Sequence, residues 1–115
     1  MTPQSAKSKG RRLQQWVRDK ILETNPELHK DDVRSTSMGA GGEDVQLSGQ
    51  ARTLFPFQIE CKNKRTVAVY GWFNQAKEHG ENPPLLIIKQ DDSPPMVVLE
   101  AEEFIKIIRK LYGSR

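Results

Sequence analysis

At 115 residues the chain has room for one hydrophobic core and too little for a second. Its 36% hydrophobic and 29% charged residues exclude a disordered or membrane-embedded class, and no apolar run approaches the roughly 20 residues a membrane span needs. A formal charge of +3 is too small to identify a polyanionic partner by itself, and a lone cysteine, Cys61, excludes an internal disulfide or a cysteine-built zinc site.

The distribution of charge says more than its sum. Residues 1–20 carry Lys7, Lys9, Arg11, Arg12, Arg18 and Lys20 against Asp19 alone, a candidate nucleic-acid footprint. Residues 90–103 carry Asp91, Asp92, Glu100, Glu102 and Glu103 with no base and read as solvated surface. The opening MTPQSAKSKGRR is basic but has no apolar segment behind it, so no secretory signal is expected; with one thiol, a cytoplasmic location is.

In chain order, residues 1–8 read as a mobile basic arm and 9–112 as a single domain. Leu13, Trp16, Val17, Ile21 and Thr24 recur at three- and four-residue steps, the spacing of one buried helical face, and Asn25-Pro26 ends that helix. VRSTS (33–37) is β-prone and leads to the loop MGAGGE; DVQLS (44–48) is a second strand, followed by a turn-rich connection. FQIECK (57–62) alternates cleanly, with Phe57, Ile59 and Cys61 on one face and Gln58, Glu60 and Lys62 on the other.

A helix is expected over about 69–79, stopped by Gly80 and Pro83-Pro84. LLIIK (85–89) reads as a buried strand and MVVLE (96–100) as its neighbour. A last helix, about 101–111, is expected to turn Phe104, Ile107, Ile108 and Leu111 inward. The order α-β-β-β-α-β-β-α gives an α/β fold with a mixed central sheet flanked by helices, LLIIK lying parallel to FQIECK through the crossover.

Glu60 and Lys62, two residues apart, share a strand face about 7 Å apart. If DVQLS pairs antiparallel with FQIECK, Asp44 arrives near Glu60 on that face. Converging carboxylates repel unless a cation lies between them, and their oxygens suit Mg²⁺, with Mn²⁺ able to substitute. Such a metal lowers the pKa of bound water and steadies charge on a phosphate, while Lys62 orients or deprotonates the water: hydrolysis of a phosphodiester. The same residue types also occur on ordinary solvated strand faces.

Three features favour the site: the loop of Gly39, Gly41 and Gly42 before Asp44, Lys64 and Arg65 at the end of the strand, and Gln75 one turn beyond Trp72, where it could look back at the carboxylates. His29 and His79 have no metal-ligand spacing, and GAGG lacks the Gly-Lys-Ser/Thr of a nucleotide-binding loop. Trp16 and Trp72 could stack on bases, although their helical spacing favours the core. Ser35 or Ser37 could contact a phosphate, although capping a turn is the plainer role.

Lys9-Gly10 opening the first helix, Ser35 to Ser37 before a glycine loop, Glu43-Asp44-Val45, Ile59-Glu60-Cys61-Lys62 and a helix with Gln75 together resemble the PD-(D/E)xK nuclease superfamily. Within it the chain resembles the small archaeal-type and phage Holliday junction resolvases, over roughly residues 7–111. The resemblance implies a restriction-endonuclease-like core, Asp44 and Glu60 as metal ligands, Lys62 as the catalytic lysine, and a location in the host cytoplasm if the protein is phage-encoded. The family often adds a glutamate in the first helix, four residues after the glycine of the Lys-Gly pair. That position is Gln14, which can coordinate weakly or hold a water but brings no charge; Glu43 or a partner subunit is the alternative donor.

The expected function is therefore a Mg²⁺-dependent, structure-selective DNA endonuclease acting on branched or four-way DNA as a homodimer. The alternatives are a nicking or restriction-type nuclease of the same fold and a non-catalytic nucleic-acid-binding module.

Overall fold

Residues 3–36, 42–64 and 68–113 are described by the computed structural model. Helix α1 (Pro3–Thr24) buries Gly10, Leu13, Gln14, Val17 and Ile21, one stripe at helical spacing. Proline is tolerated in a first turn, where its missing N–H has no helical acceptor, and nothing from Gln4 to Ser8 breaks a helix. Residues 3–8 accordingly belong to α1 rather than to an arm. The helix stops where the Asn25 side-chain amide donates to Ile21 O at 2.8 Å and Pro26 follows. Trp16 and Thr24 depart from the expected stripe: Thr24 is exposed, and Trp16 is 44% exposed beneath the Lys20 ammonium, 5.6 Å from the ring centroid.

A 3₁₀ turn (Lys30–Asp32) leads into β1 (Val33–Ser35), which pairs antiparallel with β2 (Val45–Leu47). The connection expected to be irregular contains a short helix, α2 (Gly49–Leu54). Ser48 Oγ accepts the Ala51 N–H at 3.1 Å as an N-cap and donates to Asp32 Oδ1 at 2.7 Å, while Ala51 is fully buried. Six residues are too few to show a helical period, so that cap is the only local signal.

Strand β3 (Gln58–Asn63) pairs antiparallel with β2 at Val45–Ile59 and, after the crossover helix α3 (Val69–Lys77), in parallel with β4 (Pro84–Lys89). Strand β5 (Met96–Val98) closes the sheet antiparallel to β4, and α4 (Ala101–Tyr112) follows. The result, among the described residues, is an α/β fold with four α-helices and a five-stranded mixed sheet in the order β1-β2-β3-β4-β5.

One sheet face carries Val33, Val45, Ile59, Cys61, Leu85 and Ile87, packed with Leu13, Val17 and Ile21 of α1. The other is covered by α3, whose Phe73 and Ala76 are buried, as is Leu86 of β4. Truncating any of the large aliphatic residues of the main cluster to Ala should cost about 2–5 kcal/mol. Helix α4 does not complete this core. Phe104 and Leu111, expected inward, are exposed, with Ile107 and Ile108 only partly buried. None of the described helices is long and apolar enough to cross a membrane.

Candidate functional site

Asp44 sits at the entrance to β2, where three backbone contacts fix it. Its N–H donates to Ile59 O at 3.2 Å, and its carbonyl accepts from the Thr36 N–H at 2.8 Å and the Thr36 hydroxyl at 2.9 Å. The carboxylate then turns to β3, where Oδ2 accepts the Cys61 N–H at 2.8 Å. Gly42 has φ +89°, a conformation that side-chain-bearing residues rarely adopt, and it turns the chain into Glu43-Asp44. Gly39, Gly41 and Ser37 lie outside the described residues, as does Arg65.

Glu60, on the adjacent strand, is only 5% exposed. A buried carboxylate needs compensating partners, and two are present among the described residues. Lys62 Nζ lies 3.2 Å from Oε2, and His79 Nε2 lies 2.8 Å from Oε1. Lys62 reaches Glu60 because alternate residues of a strand share a face. His79 reaches it because α3 runs back over that face and ends just before β4.

Burial raises the Asp44 carboxyl above its ordinary range, opposed by the Cys61 N–H. Glu60 pushes the same way as burial, and Lys62 and His79 push against it, so all four groups share one field. The Cys61 thiol, buried on the α1 side, is raised well above its usual value by burial and then by Asp44 and Glu60. It stays protonated and is no nucleophile.

Several sequence candidates have other places. Gln14 is 3% exposed on the buried stripe of α1. Glu43 cannot easily serve as the extra metal donor, because Arg52 grips it with both guanidinium nitrogens, at 3.0 Å through Nη1. Gln75 is exposed on α3, whose buried residues are Phe73 and Ala76. Ser35 is partly exposed on β1, and Lys64 is exposed just beyond β3. Lys7, Arg11 and Arg12 are exposed on α1, and Lys9 pairs with Asp91 at 2.6 and 2.8 Å.

His79 is the site residue that spacing did not single out. Its contact with Glu60 spans 19 positions and exists only once the crossover has folded. Its place just ahead of Gly80, where the chain turns back to β4, was the only available cue.

With this geometry in view, comparison with known proteins finds no matching family model, curated protein or solved structure.

The donor set has a definite chemistry. Two neighbouring carboxylates, one of them raised by desolvation, offer hard oxygen ligands where negative charge is poorly hydrated. Among the described residues no group of three His, Cys, Asp or Glu side chains forms a metal cage. A pair is nevertheless enough for Mg²⁺, which commonly takes one or two carboxylates and completes its octahedron with water and phosphate oxygens. The residues therefore fit Mg²⁺ or Mn²⁺, with each Glu60 oxygen already facing one nitrogen and so suited to single-oxygen rather than chelating coordination.

Proposed function

We propose that the chain is a Mg²⁺-dependent, structure-selective DNA endonuclease with a restriction-endonuclease-like core, acting as a homodimer on four-way or branched DNA in the manner of a Holliday junction resolvase. The observation that carries this reading is the convergence of Asp44, Glu60 and Lys62: Asp44 Oδ2 is pinned to the Cys61 N–H at 2.8 Å, and Lys62 Nζ is 3.2 Å from Glu60 on the same strand. Apart from α2 and the 3₁₀ turn, the elements also follow the α-β-β-β-α-β-β-α order read from the sequence.

Bound between Asp44 and Glu60, Mg²⁺ would supply Lewis acidity to a phosphate oxygen and a more acidic bound water. The chain's own residues would do the rest. Asp44 is held rigidly by its backbone contacts, so its free carboxylate edge has little freedom to lose on binding a ligand. Lys62 brings a positive charge beside Glu60, where it can orient a water or balance charge on the phosphate. His79 fixes the rotamer of Glu60 from the far side, as a positioning residue.

The test is a panel of labelled four-way junction, flap, nicked and linear duplexes, each incubated with Mg²⁺, with Mn²⁺ and with chelator. Cutting of the junction with either metal, and of none with chelator, is expected. Metal-dependent cutting of linear duplex alone would favour the restriction-type alternative. Binding without cutting under every condition would leave a nucleic-acid-binding module and overturn the enzyme.

A further inference from the structure

Helix α4 presents apolar side chains that the other described residues leave open. Phe104 is 50%, Ile105 47% and Leu111 65% exposed, and α4 has only slight contact with the other elements. Its 12 residues make about three turns, near the length at which an isolated helix is marginal in water. Helices of this size are normally held by burying their apolar face, so α4 needs a covering surface that the described residues of one copy do not provide.

The charges indicate which surface. The first turn of α4 carries Glu102 and Glu103, and the last carries Arg109 and Lys110. Glu103 and Lys110 are seven residues apart, so they border the same side of the stripe that Phe104 and Leu111 also share at a spacing of seven. A parallel copy would set acid beside acid and base beside base. An antiparallel copy, related by a twofold axis across the helix, sets Glu103 of each copy against Lys110 of the other while Phe104 and Leu111 interdigitate.

We propose that α4 is a self-association element, pairing antiparallel with α4 of a second copy of this chain to form a closed twofold dimer. Such an interface is isologous and cannot propagate into a filament. One helix of about 18 Å covers less than the roughly 800 Å² per partner of a standard interface, so affinity nearer micromolar than nanomolar is expected. The inference does not rest on the nuclease reading: a chain that pairs through α4 and cuts nothing would keep it.

The test is sedimentation velocity on the full chain over a concentration series, with circular dichroism to verify folding. Wild type should pass from monomer to dimer, and the Phe104→Ser/Leu111→Ser variant should remain monomeric. Glu103→Lys alone, or Lys110→Glu alone, should each weaken the dimer about tenfold, since two ion pairs become two repulsions. Combining both substitutions in one chain should restore it, and mixing the two single variants should give heterodimers.

A wild-type monomer at every concentration would overturn the proposal and leave the stripe to another macromolecule. So would a Phe104→Ser/Leu111→Ser variant that still dimerises. Failure of the combined charge swap to recover association would overturn the antiparallel arrangement. Should the apolar variant lose helix content, the charge-swap and mixing experiments still decide, because they leave the stripe intact.

Discussion

Glu60 holds a nitrogen on each of its oxygens, and Asp44 is the carboxylate beside it that burial makes reluctant to ionise. A carboxyl whose folded-state pKa is raised favours the folded state while protonated. That contribution is present below the ordinary value of 3.8 and is lost as pH rises through the raised folded-state value. Asp44→Asn removes the ionisation while keeping an oxygen to accept from Cys61. In chelator the variant should therefore match wild type in strong acid and be the more stable of the two at neutral pH, by urea unfolding at the two pH values. Added Mg²⁺ should raise the wild-type melting temperature and leave Asp44→Asn unchanged. The variant should also lose at least about a hundredfold in cleavage rate, as should Lys62→Ala. A variant cutting at the wild-type rate would remove that residue from the mechanism.

His79 calls for a different comparison. His79→Ala leaves Glu60 with Lys62 alone, and loss of such an orienting partner typically costs about 10–100-fold in metal affinity or activity. The Mg²⁺ concentration for half-maximal cleavage should rise, and His79→Gln, which can still donate to the carboxylate, should recover part of the loss. If the metal titration is unmoved by both variants, the contact is structural only. Asp44, Glu60 and Lys62 were legible because strand alternation and an antiparallel neighbour bring them together by arithmetic. His79 was not, because a helix of unknown tilt stands between it and the strand.

At the scale of elements, the strands and α1 were legible because a sheet face and a long helix each impose a period on the sequence. The short helix α2 was not, and its cap can be tested directly. Ser48→Ala removes both the acceptor for Ala51 N–H and the donor to Asp32, whose pKa that hydroxyl lowers. A loss of about 1 kcal/mol in urea unfolding is expected. The consequence reaches the site, since Arg52 of α2 grips Glu43 next to Asp44. Arg52→Ala should slow cleavage more than it weakens DNA binding. Gly80 is a second such joint: a Cβ there would lie 2.9 Å from the buried Gln58 Oε1, which Asn82 already holds. Gly80→Ala should cost about 1–3 kcal/mol by overpacking, and should disturb the adjacent His79.

At the scale of the whole molecule, the fate of the basic N-terminal segment shows what sequence alone could not resolve. Charge counting groups Lys7, Lys9, Arg11 and Arg12 together, but the fold withdraws Lys9 into an ion pair with Asp91, 82 positions away. Lys7, Arg11 and Arg12 remain exposed, and because α1 begins at Pro3 all three sit on one helix. If a twofold dimer sets two such helix ends apart, each would meet a different duplex arm of one junction, adding phosphate contacts that one straight duplex cannot supply at once. Four-way junctions should bind more tightly than linear duplex of equal length, and the advantage should shrink as salt rises. The triple variant Lys7→Ala/Arg11→Ala/Arg12→Ala should lose most of that advantage with little change in unfolding free energy, since exposed charges contribute little to folding. Lys9→Ala, whose ammonium is already paired with Asp91, should change the salt slope less than any of those three, again with little change in unfolding free energy. Competition binding at two salt concentrations, with urea unfolding of each variant, separates the two roles. Equal affinity for junction and duplex at low salt would remove the resolvase reading and leave a general nuclease.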